Sequence, residues 1–113
     1  MKRIIFVSLL ALASAAAQAK EEPKDAAKLA EACAACHGKT GAEPIAPEQP
    51  IIAGQYANYL EHALHEYKSG KRKNPIMAAQ VAALSDADIR ALARHFASQT
   101  SKLHTPSVHG KAE

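Results

Sequence analysis

Apolar residues recur along this chain at the spacing of helix faces, and that periodicity predicts an all-α fold. The first face, which predicts a helix from residue 25 to residue 33 or slightly beyond, comprises Ala26, Leu29, Ala30 and Cys33. Two longer faces comprise Tyr56, Tyr59, Leu60, Ala63, Leu64 and Tyr67, and then Ile89, Leu92, Ala93 and Phe96. A short apolar run over 77–84 predicts a minor helix between them. No stretch alternates as a strand does, so we expect three principal helices and long connections.

Turn residues mark where these helices should begin and end. Gly70 supplies a stop for the second helix, and Ser85 followed by Asp88 resembles a capping box at the start of the last one. Residues 38–50 contain two glycines and three prolines, which predicts an extended loop. Residues 71–75, with the sequence Lys-Arg-Lys-Asn-Pro, predict a basic break before the minor helix.

The first nineteen residues are typical of an export signal rather than of a folded element. Lys2 and Arg3 precede an apolar run over 4–13, and residues 17–19, Ala-Gln-Ala, offer a cleavage site. The run lacks the length and flanks of a membrane span, and the alternative is an uncleaved N-terminal anchor. We therefore expect a signal peptide over 1–19, one domain over 20–100 and a flexible polar tail over 101–113. The mature protein is predicted to be periplasmic, with no stable membrane insertion.

Composition narrows the classes of function. The chain is 48% hydrophobic and 22% charged, which is typical of a folded domain rather than of a disordered one. Its formal net charge is +3 and includes Lys2 and Arg3, so the mature domain lacks the basic footprint of a nucleic-acid-binding protein. Aromatic residues make up only 4% of the chain, and the helix faces are rich in alanine. A domain with so small a core usually needs a covalent cross-link, a metal or a cofactor for stability.

Residues 33–37, Cys-Ala-Ala-Cys-His, form C-x-x-C-H, the attachment signature of c-type haem. Two thiols three residues apart on a helical turn can each add to one vinyl group of a haem, and the adjacent imidazole can then bind the iron. The alternatives are a redox-active C-x-x-C pair or a plain disulfide followed by a chance histidine. A thioredoxin-like module would have a βαβ pattern around the motif, and the sequence has none. Export and the all-α pattern both favour one haem c, attached through Cys33 and Cys36.

Met77 is the candidate for a second axial ligand on the opposite side of the iron. It is the only methionine besides Met1, and a thioether ligand raises the reduction potential of a haem. It follows residues 74–76, Asn-Pro-Ile, which predict a turn that can hold the backbone across a haem face. The alternative is that a lone methionine fills the core.

The chain resembles the class I cytochromes c, and within them the small bacterial relatives of the c4, c5 and c-553 groups. The resemblance covers residues 25–99 and rests on the order of three segments, CAACHG, QPIIAGQYANYLEHALHEYKSGKR and NPIMAAQVAALSDADIRALARHFASQ. It implies the class I cytochrome c fold, in which three principal helices and loops wrap around one covalently attached haem c. Tandem c4 proteins carry two attachment motifs, and this chain has one, so the resemblance implies a single-haem relative.

Site residues carry over from the resemblance position by position. Cys33 and Cys36 match the thioether cysteines, His37 matches the proximal iron ligand, and Met77 matches the distal ligand. Pro50 matches the proline whose carbonyl accepts the ring N–H of the proximal histidine. That contact fixes the orientation and tautomer of the ring.

Two further positions match the family pattern, and two depart from it. Ile52 is implied to contact the haem, and Arg72 matches a common basic position near a haem propionate. His95 stands where an aromatic residue is usual before Phe96, which puts one helix-packing contact in doubt. Ile51 replaces a frequent asparagine, so one loop hydrogen bond is expected to be missing.

Two polar clusters have both a functional and a plain interpretation. His62 and His65 lie three residues apart on the second predicted helix and could bind a metal, but the adjacent glutamates favour a solvated polar face. The basic run over 71–73 could dock an acidic partner or form a solvated turn.

Together these features predict a periplasmic carrier that transfers one electron between redox partner proteins through a His/Met-ligated haem c. No enzymatic activity is expected, because the sequence shows no nucleophile–base pair, paired carboxylates or phosphate loop. One alternative is a haem c subunit of a larger periplasmic oxidoreductase complex. A gas-binding haem would need an open sixth position, which Met77 argues against, and a thiol–disulfide module would be colourless.

Overall fold

Four helices form the part of the chain that the computed structural model describes, which is residues 24–103. They are α1 (Ala26–His37), α2 (Ala57–Ser69), α3 (Pro75–Val81) and α4 (Asp86–Ala97). No strand occurs within these residues, so the predicted all-α class is confirmed. None of these four helices is both long enough and apolar enough to cross a bilayer. The predicted export signal, 1–19, and the last ten residues of the predicted tail lie outside the described residues.

Helix α4 is the centre of the packing, since it contacts both α1 and α2, while α3 contacts α2. Its best buried apolar residues, each at most 4% exposed, are Ile89, Leu92, Ala93 and Phe96. The main apolar cluster joins three of these to Ala30 of α1 and Leu60 of α2. The periodicity of α4 therefore identifies the face against which α1 and α2 pack.

The capping box predicted at the start of α4 is confirmed. The Asp88 backbone N–H donates to Ser85 Oγ at 3.1 Å, and the Ser85 N–H donates to Asp88 Oδ2 at 3.1 Å. Asp88 is only 2% exposed, and its other oxygen accepts the Lys24 backbone N–H at 2.9 Å. One carboxylate thus caps α4 and also fixes the segment that leads into α1.

The structure extends α1 four residues past residue 33 and ends α3 at Val81 rather than at residue 84. Helix α1 continues to His37, where Gly38 ends it, so the whole C-x-x-C-H motif is helical. Helix α3 begins at Pro75 rather than at residue 77, because Asn74 caps it and a proline fits the first helical position. Met77 therefore lies in the first turn of a helix and not after a turn.

The loop between α1 and α2 crosses the core at Gly41. The Gly41 carbonyl accepts the N–H groups of Ile52 at 2.9 Å and of Ala53 at 3.0 Å. Its φ is +79°, and a Cβ there would lie 2.7 Å from Ile52 Cγ1 and 2.8 Å from Phe96 Cδ1. Only glycine accommodates both the backbone conformation and the close approach.

The chain beyond α4 packs back onto this same loop. Ser101 Oγ donates to the Ala53 carbonyl at 2.6 Å and accepts the Leu103 N–H at 3.0 Å. The Gly54 N–H donates to the Phe96 carbonyl at 3.0 Å. The first three residues of the predicted tail, 101–103, therefore belong to the packed unit.

Candidate cofactor site

Helix α1 presents two reduced thiols at its carboxyl end. Cys33 and Cys36 are both free and half-buried, and a spacing of three residues places them on the same side of a helix. Cys33 packs against the main apolar cluster, and its Sγ lies 3.9 Å from the Leu29 carbonyl oxygen. Both cysteines therefore lie half-buried on one side of α1, with Cys33 at the edge of the core.

Burial raises the pKa of the Cys33 thiol above its ordinary value. A thiol with a raised pKa stays protonated near neutral pH, whereas thiol–disulfide exchange requires the thiolate as the attacking group. The burial of Cys33 therefore does not favour the thiolate that such exchange requires.

His37 is the buried imidazole of the motif, with only 7% of its surface exposed. Its Nδ1 lies 2.8 Å from the Pro50 carbonyl oxygen, which is the contact that the sequence resemblance implied. A carbonyl can only accept, so Nδ1 carries the hydrogen and Nε2 of the neutral ring keeps its lone pair. The hydrogen bonds formed within residues 24–103 leave Nε2 without a partner. This is the arrangement of a histidine that binds a metal ion through Nε2.

The loop that carries Pro50 folds tightly over the end of α1. Gly38 has a φ of +86°, and a Cβ there would lie 2.2 Å from the Glu43 carbonyl oxygen. The Ile45 N–H donates to the Cys36 carbonyl at 3.0 Å. The sequence analysis predicted an extended loop and missed this closure, although a glycine directly after the motif was a signal for it.

Ile52 and Gln49 lie on either side of Pro50 and differ in polarity. Ile52 is half-buried and packs against the same apolar cluster as Cys33. The Oε1 atom of Gln49 is buried and has no hydrogen-bond partner among the described residues. A bound group with an apolar body and a polar edge would suit both side chains.

Met77 is held through its backbone by the cap of α3. The Asn74 side chain accepts the N–H groups of Ile76 at 3.0 Å and of Met77 at 3.1 Å. Met77 is half-buried, while its neighbour Ile76 is 67% exposed. The sequence predicted a turn over 74–76, whereas Asn74 is the cap of α3, and an asparagine directly before a proline is a known helix-start signal.

Arg72, expected from the resemblance near a haem propionate, is engaged with two tyrosines of α2. Its Nη1 lies 3.4 Å from the Tyr59 hydroxyl, and its guanidinium carbon lies 5.1 Å from the centroid of the Tyr67 ring. The bond to Tyr59 is the main cause that raises the pKa of Arg72 above its ordinary value, so the side chain stays cationic. No hydrogen bond or ring contact within residues 24–103 joins Arg72 or Met77 to the α1 motif.

The two histidines of α2 do not converge on a metal position. His62, with 73% of its side chain exposed, pairs with Glu66 at 3.3 Å. The two ring nitrogens of His65 face different carboxylates, Glu61 at 4.0 Å and Asp86 at 3.9 Å, so one ion cannot use both pairs. Within the described residues, no group of three or more His, Cys, Asp and Glu side chains could hold a metal ion. These contacts agree with a solvated polar face.

The donor set and the core both fit haem c. Two free thiols three residues apart, an imidazole with its Nδ1 already bonded and a single thioether are the groups that a covalently attached, six-coordinate haem uses. Five of the ten buried apolar residues in the described chain are alanines, so the polypeptide supplies few large side chains of its own. A large apolar group would complete such a core.

Comparison with known proteins agrees with this chemistry. The family model described as cytochrome c matches residues 23–100. Cytochrome c-553 of Helicobacter pylori is 38% identical over 96 residues, which are 84% of this chain and 95% of that protein. Cytochrome c4 of Pseudomonas aeruginosa is 40% identical over 96 residues, 85% of this chain but only 45% of that protein. A protein of Stutzerimonas stutzeri called thiosulfate dehydrogenase electron acceptor is 44% identical over 62 residues, 55% of this chain and 29% of that protein.

Proposed function

Because this chain belongs to the cytochrome c family, we propose that it carries single electrons between periplasmic redox partners with His37 and Met77 as axial ligands. The all-α fold, the electron-carrier role and a covalently bound haem c come with membership of the family. The observation that carries the assignment of His37 is the 2.8 Å distance between its Nδ1 and the Pro50 carbonyl oxygen. That bond leaves Nε2 as the nitrogen for the iron.

The haem, when bound, supplies the Fe(II)/Fe(III) couple, and this chain's residues set its environment. The Pro50 carbonyl holds the His37 ring in one orientation and one tautomer and makes Nε2 a better donor. Met77 offers a soft sulfur that favours the lower charge of Fe(II) and so raises the potential. Ile52 and Cys33 pack against the apolar cluster and would give a bound haem an apolar surface that limits the access of water.

We propose that residues 1–19 direct export and are then removed. Lys2 and Arg3 before an apolar run, followed by small residues at 17 and 19, support this. The mature domain then begins at residue 20. Because Ser101 is bonded to Ala53, we propose that the cytochrome domain extends at least to residue 103 rather than ending at residue 100. The carrier is proposed to have no catalytic residues of its own.

A second candidate function is that of an electron-accepting subunit for a thiosulfate-oxidising enzyme. The relative from Stutzerimonas stutzeri, named as an acceptor of thiosulfate dehydrogenase, supports it with 44% identity over 62 residues. Rapid reduction of the ferric protein by such an enzyme and thiosulfate, and stable co-purification of the two, would favour the subunit role. Reduction by several unrelated donors without co-purification would favour the free carrier.

The test of the main proposal is the spectrum and intact mass of the exported protein. We expect haem to stay attached in denaturing electrophoresis, and a mass equal to residues 20–113 plus one haem. The ferric form should show a sulfur-to-iron charge-transfer band from Met77. A colourless protein with a Cys33–Cys36 disulfide would overturn the cofactor assignment, and a haem protein without the sulfur band would overturn the assignment of Met77.

A further inference from the structure

Arg72 is tied back onto α2 by three separate contacts. Its backbone N–H donates to the Glu66 carbonyl at 3.1 Å. Its guanidinium donates to the Tyr59 hydroxyl at 3.4 Å and lies over the ring of Tyr67, 5.1 Å from the centroid. Glu66 and Tyr67 lie on one turn of α2 and Tyr59 lies about two turns before them, so Arg72 contacts α2 at two separate points along its side.

The rest of this connection has little to hold it. Residues 71–74 are all exposed, and Gly70, with a left-handed φ of +77°, ends α2 and lets the chain reverse. Lys71 and Lys73 form no hydrogen bond or ion pair within residues 24–103. Arg72 is therefore the main anchor of the connection between α2 and the cap at Asn74.

The anchor at Arg72 lies close to the backbone of Met77. Asn74 follows Arg72 by two residues, and its side chain accepts the N–H groups of Ile76 and Met77 at 3.0 and 3.1 Å. The tyrosines of α2 hold Arg72 in place. Arg72 is joined to Asn74 by two peptide units, and Asn74 holds the backbone of Met77. A shift of Arg72 away from α2 would move the first turn of α3 with it.

We propose that Arg72 is a positioning residue for Met77, which it acts on through the α2–α3 connection rather than through a haem propionate. The inference rests on the proposed role of Met77 as distal ligand. In this role Arg72 keeps α3 seated against α2 and slows the opening that would lift the thioether from the iron. Lysine cannot replace it, because stacking on Tyr67 while donating to Tyr59 requires the planar guanidinium.

The test is the rate at which cyanide binds the ferric holoprotein, since cyanide can enter only when the sixth position opens. For Arg72→Gln and Arg72→Lys we expect roughly a two- to fivefold faster rate, the factor that loss of an exposed cation–π contact gives. Tyr59→Phe removes one hydroxyl and should raise the rate about twofold, the factor for one modest hydrogen bond. Lys71→Gln, which makes the same charge change at the adjacent exposed position, is the matched control and should leave the rate unchanged.

The readouts separate a positioning role from a propionate contact. If Arg72→Lys and Tyr59→Phe both bind cyanide at the wild-type rate, the positioning role is overturned. It is likewise overturned if Arg72→Gln changes the reduction potential while Tyr59→Phe changes neither the potential nor the cyanide rate, since that pattern belongs to a propionate partner. Absence of the ferric sulfur-to-iron band in the wild type would overturn the assignment of Met77 itself and, with it, this inference.

Discussion

The two segments that bear the proposed iron ligands are built in opposite ways. On the α1 side, His37 is 7% exposed and its ring is bonded to the Pro50 carbonyl, within a loop that passes over the core at Gly41. On the α3 side, residues 71–76 are all exposed, and the backbone N–H of half-buried Met77 donates to the Asn74 cap. One ligand is part of the core, and the other is attached to its edge.

Because of this difference, we expect substitutions on the α1 side to change mainly the stability of the fold and substitutions on the α3 side to change mainly the reduction potential. The α1 side shares Ile52, Phe96 and Cys33 with the hydrophobic core, so changes there should act on folding first. The end of α3 is seated by Val81, which is 1% exposed, but residues 71–76 are exposed and Met77 is only half-buried, so changes over 71–77 should act on the metal and leave the fold in place. Such a division lets the potential of a small cytochrome vary without endangering the domain that carries it.

The largest effect is expected from removing both attachment thiols on the α1 side. Cys33→Ala combined with Cys36→Ala abolishes covalent haem binding and should leave a largely unfolded chain, because a core that is half alanine scarcely offsets chain entropy. Circular dichroism and haem staining after denaturing electrophoresis test this. Native helix content in the haem-free variant would show that the α1 side folds without the cofactor.

On the α3 side, Met77→Ala should change the metal and spare the fold. The potential should fall by a few tenths of a volt, within the roughly 0.8 V that axial ligands span, and the sulfur-to-iron band should vanish. Helix content should stay within error of the wild type, because Met77 is only half-buried. Met77→His should keep six ligands and still lower the potential, while Ile76→Ala, at a position 67% exposed, is the control. An unfolded Met77→Ala protein would remove the contrast between the two sides.

Two glycines, one in the loop over the core and one at the end of α2, show how tightly each side of the molecule is packed. Gly41 and Gly70 have φ values of +79° and +77°, but a Cβ at Gly70 would meet nothing closer than 3.9 Å, whereas at Gly41 it would meet atoms at 2.7 and 2.8 Å. Gly70→Ala should cost about 1–2 kcal/mol from the backbone alone, and Gly41→Ala about 2–4 kcal/mol because overpacking adds to it. Urea unfolding of both variants measures the difference in the free energy of unfolding. Equal decreases would mean that the loop at Gly41 can shift to make room for a Cβ.

The smallest predicted effect is the loss of stability at low pH that results from protonation of Asp88, the residue bonded to the segment before α1. The backbone N–H of Lys24, followed by the groups of Ser85, holds the pKa of the Asp88 carboxyl below its usual value. The stability from this depressed pKa is complete above the unfolded value of about 3.9 and is lost as the pH falls through the lower, folded-state pKa. Asp88→Asn should therefore lower the free energy of unfolding by about 1–2 kcal/mol at neutral pH, and the gap from wild type should shrink in acid.

Asp86→Asn is the control for that measurement, because the Asp86 side chain is 70% exposed. Its change should stay within about 0.5 kcal/mol at any pH. A loss as large as that of Asp88→Asn would mean that general charge at the start of α4, and not the buried carboxylate, sets the acid sensitivity.

Local signals were enough to predict much of the fold and the chemistry of the site. The periodicity of α4 and its capping box, as well as the C-x-x-C-H motif, depend on residues within one or two helical turns of each other, so the sequence displays them directly. The start of α3 was missed although its signal, Asn74 before Pro75, is equally local. That error came from treating the proline as a break rather than as a first helical residue.

The remaining features join residues far apart and have no local signal. Lys24 and Asp88 are 64 positions apart, and Ser101 and Ala53 are 48 apart. The stacking of Arg72 on Tyr67 depends on how the chain reverses at Gly70, which a basic run alone does not reveal. Periodicity identifies which face of a helix is buried. The path of each loop depends on contacts with distant residues that form only when the helices have packed together.

The packing of α1 against α4 sets the order in which the molecule can form. The first and last helices meet across nearly the whole domain, so the entropy of closing this long loop must be met before their contacts stabilise anything. A chain ended before Asp86 lacks Leu92, Ala93 and Phe96, which are three of the five buried residues of the main cluster. Until α4 is present, the apolar cluster against which Cys33 packs is incomplete, so that thiol lacks its folded surroundings.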